Sequence, residues 1–156
     1  EIRIKAITRE INVEGGAGNE GIEIGLWHAN VENEKEGISQ VILIGDVPAN
    51  TKQEVEQKRK HLGEDDWKNT KFKQSIYYAD ELEKKIQVHA FFVEKRAEQN
   101  FHEIAKDRCA ILDINSPLGS NMLTDLVTEE ILRNFGGKKG DTLVDAYRNK
   151  FVKSYT

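Results

Sequence analysis

The sequence predicts a mixed α/β domain with a parallel, doubly wound sheet, and two observations support this fold class. Runs of apolar and β-branched residues recur at residues 41–44, 88–93 and 110–114, and segments with helical spacing of apolar residues separate them. Strands that alternate with helices form a parallel sheet, because each crossover helix returns the chain to the same end of the sheet. A length of 156 residues fits one domain.

Composition and charge narrow the classes of protein that the chain can represent. Charged residues make up 32% of the chain and hydrophobic ones 38%, as in a soluble globular protein, and the net charge is −4. Basic residues are interleaved with acidic ones, so no nucleic-acid partner is expected. No membrane-length apolar stretch or signal peptide is seen, which favours a cytoplasmic protein without a membrane partner. Cys109, the single cysteine, is expected to be a small buried thiol.

The first part of the chain is predicted to hold two helices on either side of a glycine-rich turn. Residues 1–13 carry apolar side chains at helical spacing, although the first few of them also fit a strand. The turn covers residues 15–21, and a helix is predicted from Glu20 to the glycine at position 37. Ile22 and Leu26 are expected to face the core.

Capping and aromatic residues organise the middle of the chain. Thr51 and Glu54 match a capping box, so a helix is predicted from Thr51 to about residue 62. The polar stretch 63–75 is expected to be a surface excursion that Trp67 and Phe72 attach to the body. Apolar spacing predicts the remaining helices, at residues 77–85, 97–105, 123–131 and 140–153.

Two carboxylates are associated with the ends of predicted strands. Asp46 follows the strand 41–44, which is expected to be buried on both faces, and Pro48 ends its ladder of hydrogen bonds. Asp113 lies at the end of the third strand. Ligands of open α/β sheets gather at the carboxyl ends of the strands, so Asp46 is a candidate site residue. The alternative is that Asp46 caps the next helix or accepts hydrogen bonds within its own loop.

Two segments together resemble a known family. Gly-Gly-Ala-Gly-Asn-Glu at residues 15–20, followed by Leu26, resembles the Gly-Gly-Asp-Gly-Pro-Glu turn and helix of von Willebrand factor A-type domains. The branch that it resembles is the one shared with integrin β subunits. The strand that ends at Asp46, followed by Val47 and Pro48, resembles the strand and Ala-Asp-Ala-Pro turn of the same family. Later helices and strands follow that family's order, over about residues 1–135.

The resemblance implies a Rossmann-like α/β sandwich with a divalent cation, usually Mg²⁺, at the C-terminal edge of the sheet. By position, Asp46 and Glu20 match two acidic residues of that metal site, and Asn19, Asn50 and Thr51 beside them are candidate binding residues. The family's Asp-x-Ser-x-Ser signature is not found in the chain, and the turn lacks the family's commoner Asp and Pro. So few ligands leave the ion able to accept a carboxylate from a partner protein.

The predicted function is therefore a non-enzymatic protein-interaction module that uses the surface around Asp46. The alternative is a small α/β enzyme, for example a metal-assisted phosphohydrolase, with Asp46 and Asp113 at neighbouring strand ends. An enzyme requires a nucleophile or an oriented base near those ends, and the sequence offers neither. The four histidines are scattered without metal-like spacing and are expected to be structural.

The predicted sheet is narrow. Three strands at about 4.8 Å spacing span only about 10 Å, which is too little to cover helices on both faces. Further strands are therefore expected beside residues 41–44, from another chain or from an upstream segment. The chain is then a single von Willebrand A-type domain or the C-terminal fragment of one, with its core at 1–135 and a C-terminal helix at 140–153. Two helix-to-strand junctions, at 85–87 and 107–108, lack the usual glycine, as if loop residues were absent.

Overall fold

A computed structural model describes residues 18–151 of the chain. The three strands, β1 (Val41–Gly45), β2 (Val88–Phe92) and β3 (Cys109–Ile111), form one parallel sheet in the order β1-β2-β3. The helices of these residues are α1 (Ile22–Glu36), α2 (Lys52–Leu62), α3 (Glu64–Lys68), α4 (Tyr78–Leu82), α5 (Glu98–Ala105), α6 (Gly119–Gly136) and α7 (Gly140–Phe151). The mixed α/β class and the parallel sheet are confirmed, whereas the helix predicted at 1–13 lies outside the described residues.

The middle strand of the sheet is β2, and it is buried at all five positions. Its first residue lies opposite Val41 of β1, and its third, Ala90, lies opposite Cys109 of β3. The prediction that residues 41–44 are buried on both faces is wrong. Most of β1 is half-buried, and Ile44 is 48% exposed. The reason is that β1 has a neighbouring strand on one side only within residues 18–151.

The third strand is shorter than the sequence predicts, since it ends at Ile111 rather than at residue 114. One more ladder hydrogen bond follows it, from the Leu112 amide to the Phe92 carbonyl at 2.8 Å. Asp113 therefore lies in the loop beyond the strand, although at the same edge of the sheet as Asp46, because the strands are parallel.

One face of the sheet is covered by an apolar core that β2 shares with α1 and α5. Phe101 at the centre of this core is 0% exposed, and Gly45 approaches it so closely that a Cβ atom there would lie 3.1 Å from the ring. Burying a side chain of this size contributes about 1.5–3 kcal/mol, so this face supplies much of the stability. The buried cluster consists of Ile22, Leu26, Ala49, Ile86, Val88, Ala90, Phe92, Ala97, Phe101, Ile104 and Ala105.

The opposite face of the sheet carries the buried ring of Phe91 and a polar contact with α6. His89 alternates with Val88 and Ala90 along β2, so it points away from the apolar core. Its Nδ1 lies 2.9 Å from a carboxylate oxygen of Glu130 on α6. Asn134, one turn further along α6, donates to the side-chain oxygen of Gln40 at 2.9 Å, just before β1.

The helix caps and the helix-to-strand junctions agree in part with the sequence prediction. Thr51 and Glu54 form the predicted capping box at the start of α2. The two junctions without glycine are closed by lysines in the left-handed region, Lys85 at φ 60° and Lys106 at φ 56°. These lysines take the conformation that glycine adopts at lower energetic cost. Among residues 18–151, no helix is both long and apolar enough to cross a membrane.

Candidate functional site

The carboxyl end of β1 opens into a cleft of about 440 Å³ that two carboxylates line. These are Glu20 and Asp46, both of them exposed. The remaining lining residues are Gly21, Ile22, Ile44 and Gly45. The two residues that the sequence proposes as cation ligands thus share one cleft, which we call the carboxylate cleft.

Backbone pairing brings Glu20, just before α1, to the loop that follows β1. The Glu20 amide donates to the Pro48 carbonyl at 2.9 Å, and the Asn50 amide donates to the Glu20 carbonyl at 3.0 Å. Glu20 and Ala49 thereby form an isolated parallel bridge. The short pairing fixes the backbone position of Glu20 next to the loop that carries Asp46.

Two of the predicted binding residues use their side chains within the fold. The Asn19 side-chain amide donates to Glu54 at 3.0 Å, and the Thr51 hydroxyl accepts from the Glu54 amide at 3.2 Å. The Glu54 carboxylate in turn accepts from the Thr51 amide at 2.8 Å, and this bond lowers the pKa of Glu54. Through Glu54, the side chains of Asn19 and Thr51 thus connect the segment before α1 to the first turn of α2.

Asn50 joins two charged side chains below the cleft. It is 4% exposed, donates to Glu23 at 2.9 Å and accepts from the Lys58 ammonium at 2.7 Å. Lys58 also donates to the Asn19 carbonyl at 3.0 Å. Glu23 is buried, and burial raises the pKa of its carboxyl group. The third predicted binding residue is therefore a structural link between α1 and α2.

Sequence reasoning missed Glu23 and Lys58, the two charged members of this link. Lys58 follows Glu54 by four residues on α2, a spacing that places both side chains on one face of the helix. That spacing was a usable signal for Lys58. Glu23 carries no comparable signal, because an acidic residue in the first turn of a helix is common at exposed positions as well.

Asp113 has a local role in the structure. Its Oδ1 accepts from the amides of Asn115 at 3.0 Å and Ser116 at 3.2 Å, so it closes the turn after β3. The prediction that Asp46 and Asp113 follow neighbouring strands is wrong. Strand β2 lies between β1 and β3, which places the two strand ends about 10 Å apart.

The carboxylate cleft offers few protein ligands to a cation. The side chains that the structure describes include no group of three or more His, Cys, Asp or Glu residues arranged to hold a metal ion. The cleft therefore offers two carboxylates, Glu20 and Asp46. Mg²⁺ is commonly held by one or two carboxylates together with waters and a ligand from a partner molecule, so the donor set is compatible with it.

The other polar candidates of the sequence lie away from the cleft. Cys109 is half-buried rather than fully buried, and burial raises the pKa of its thiol, which keeps it protonated. His89 is buried and hydrogen-bonded, whereas His28 and His102 are exposed on helices. No family model, curated protein or solved structure matches the chain.

Proposed function

We propose that the chain is a non-enzymatic protein-binding module of the von Willebrand A type, with a Rossmann-like fold and the carboxylate cleft as its contact surface. The observation that best supports this proposal is the meeting of Glu20 and Asp46 in one exposed cleft at the carboxyl end of β1. The two residues come from separate segments, and each segment resembles a different part of the family's metal site. Their convergence is what a shared site requires.

A divalent cation, Mg²⁺ in the first instance, is the proposed link to the partner. The two carboxylates would hold the ion electrostatically and leave much of its coordination shell to water. A carboxylate of a partner protein would then replace one of those waters. Because both side chains are exposed, a large partner has access to the cleft.

The partner or an upstream segment is also proposed to complete the sheet. Strand β1 has a single neighbouring strand within residues 18–151, and Ile44 is 48% exposed beside the cleft. A strand edge with unpaired backbone groups and an exposed aliphatic residue is a template for further pairing. Pairing there would extend the contact surface from the carboxylate cleft along β1.

Calorimetric titration with Mg²⁺ tests the metal part of the proposal. We expect the unmodified chain to bind Mg²⁺, and we expect Asp46→Ala and Glu20→Gln to abolish the binding with little change in near-UV circular dichroism. Asp113→Ala is the matched control, because it removes a strand-end aspartate outside the cleft. Binding that survives in Asp46→Ala, or that is lost equally in Asp113→Ala, contradicts the proposed site.

Sedimentation of the chain alone tests the proposed completion of the sheet. A chain whose β1 edge requires a neighbour is expected to self-associate or to unfold without a cooperative transition. A soluble monomer that unfolds cooperatively would show that no strand from another chain is needed, and the proposed additional strand would then be withdrawn.

A further inference from the structure

A second cleft lies on a different part of the molecule, where α1, α4 and the segment between α3 and α4 meet. Its volume is about 460 Å³. Three of its lining residues are lysines, namely Lys71, Lys73 and Lys84, and Trp27 forms an aromatic part of its wall. We call it the lysine cleft. Its volume lies within the range of about 300–1,000 Å³ that is typical of small-molecule sites.

The lining of the lysine cleft is opposite in sign of charge to the whole chain. The single carboxylate in its lining, Glu81, is 6% exposed and already accepts from Asn30 at 2.8 Å and Lys84 at 2.9 Å. Lys71 and Lys73 are exposed, and one further carboxylate lies beside the lining, since Glu56 accepts from the Ser75 hydroxyl at 2.6 Å. The lining itself thus holds three lysines and one carboxylate, in a chain whose net charge is −4. Charge concentrated in a cleft attracts anions more strongly than charge spread over a surface.

The segment that carries these lysines is held in place by a buried arginine. Arg59 of α2 is 6% exposed, and its guanidinium donates to the carbonyls of Phe72 at 2.9 Å and Lys73 at 3.2 Å. The ring of Phe72 meets the Trp27 ring edge to face at 5.1 Å. The backbone between the two lysines is therefore anchored before any ligand arrives, which lowers the entropic cost of binding.

We propose that the lysine cleft binds a small ligand that carries both a phosphate group and an aromatic ring, such as a mononucleotide. Ammonium groups form charge-assisted hydrogen bonds with phosphate oxygens, and Lys71 and Lys73 supply two of them. The indole of Trp27 and the aliphatic side chain of Ile76 form an apolar wall against which a ring packs. This site is separate from the carboxylate cleft and does not depend on the function proposed for it.

Isothermal titration of the whole chain with AMP at low ionic strength tests the proposal. We expect saturable binding that weakens as salt is added, because salt screens the lysines. The double variant Lys71→Gln/Lys73→Gln should bind AMP at least about tenfold more weakly, since each lost charged hydrogen bond weakens binding. Lys138→Gln/Lys139→Gln is the matched control, since it removes two exposed lysines between α6 and α7 and should change the affinity less than about twofold.

Three further ligands define what the lysine cleft recognises. Adenosine, which has the ring without the phosphate, and pyrophosphate, which has the charge without the ring, should both bind more weakly than AMP. Pyrophosphate binding as tightly as AMP would overturn the aromatic part of the proposal. A short single-stranded oligonucleotide that binds more tightly than AMP would overturn the assignment to a small ligand. Absence of AMP binding at millimolar concentration, or equal loss in the two double variants, would overturn the site itself.

Discussion

Side chains of β2 point alternately to the two faces of the sheet, and a buried polar contact distinguishes one face from the other. Val88, Ala90 and Phe92 enter an apolar core with α1 and α5. His89, between them, contacts Glu130 and so connects the sheet to α6. Apolar contacts depend on shape and are indifferent to pH, whereas a buried histidine contact requires one protonation state. The two faces should therefore respond differently to mutation and to acid.

The hydrogen bonds of His89 define its protonation state. Its Nε2 lies 2.8 Å from an N–H group of the Arg108 guanidinium, which has no acceptor to offer. The Nε2 atom must therefore accept, and Nδ1 donates to Glu130 at 2.9 Å. Burial, followed by the charges of Arg108 and Arg133, lowers the pKa of His89 from 6.5 to about 4. Glu130 alone would favour the imidazolium, but the arginine at Nε2 requires the neutral ring.

The largest effect on stability should follow from removing the ring of Phe101 from the apolar core. Phe101→Ala removes a ring that is 0% exposed, and the lost burial plus the remaining cavity should lower the free energy of unfolding by about 3–5 kcal/mol. Urea denaturation followed by circular dichroism measures this change. Phe135→Ala is the matched control, because that ring is 71% exposed and its removal should cost less than about 0.5 kcal/mol. Equal losses in the two variants would contradict the location of the core.

Acid should lower stability through the face of the sheet that carries His89. The pKa of His89 is about 4 in the folded chain against 6.5 ordinarily, so the unfolded chain binds more protons between these values. The free energy of unfolding should therefore rise by up to about 3 kcal/mol as pH increases from 4 to 6.5, and level off above that. Burial raises the pKa of Glu130, which opposes part of this gain.

Urea denaturation at a series of pH values, with two histidine variants, checks the acid prediction. His89→Gln should flatten the dependence of stability on pH between 4 and 6.5. His61→Gln should leave it unchanged, since that side chain is exposed. A pH dependence that persists in His89→Gln would assign the effect to other groups.

A smaller effect on stability should come from backbone strain in two turns, one after α5 and one after α6. Lys106, between α5 and β3, has φ 56° and ψ −120°, and Gly137, between α6 and α7, has almost the same conformation at φ 51° and ψ −123°. Lys106→Gly should therefore raise the free energy of unfolding by about 1 kcal/mol, and Gly137→Lys should lower it by a similar amount. Thermal unfolding of both variants measures the two changes. Destabilisation by Lys106→Gly would show that the lysine side chain contributes more than its backbone strain costs.

The smallest effect should come from an ion pair that belongs to neither face. Lys35 lies 2.7 Å from Glu32 on α1, and both side chains are more than half exposed. Lys35→Ala should change the free energy of unfolding by less than about 0.5 kcal/mol, because solvent and salt screen such a pair. Chemical denaturation with and without added salt provides the test. A loss of stability comparable to that of Phe101→Ala would show that an exposed ion pair contributes as much to the free energy of unfolding as a core side chain.

Local signals in the sequence predicted most of the fold. The capping box at Thr51, the glycine after α1 and the apolar runs of β2 and β3 all act over a few residues, and each marks an element close to its observed position. Burial of β1 was mispredicted, because four consecutive aliphatic residues look the same in the middle of a sheet and at its edge. Which strand lies in the middle depends on the crossovers, and no short segment encodes them.

The candidate site could be predicted less completely than the fold. The convergence of Glu20 and Asp46 followed from a resemblance, and the structure brings both into one cleft. The bonds of Thr51 follow from the predicted capping box, whereas those of Asn50 and of the Asn19 carbonyl could not be predicted, since they depend on Lys58 reaching across from α2. The lysine cleft was missed as well. Its lysines are interleaved with other residues along the sequence, and they line one cleft only in the folded chain, where Arg59 holds the backbone of their segment.

The short bridge between Glu20 and Ala49 has a consequence for amide hydrogen exchange. The amides of Glu20 and Asn50 each donate across the junction, so neither can exchange until the two segments separate. Both amides should therefore exchange through a common opening, with the same protection and the same response to denaturant. A ligand held between Glu20 and Asp46 would oppose that opening and slow both amides together. The exchange rates of these two amides therefore indicate whether the carboxylate cleft is occupied.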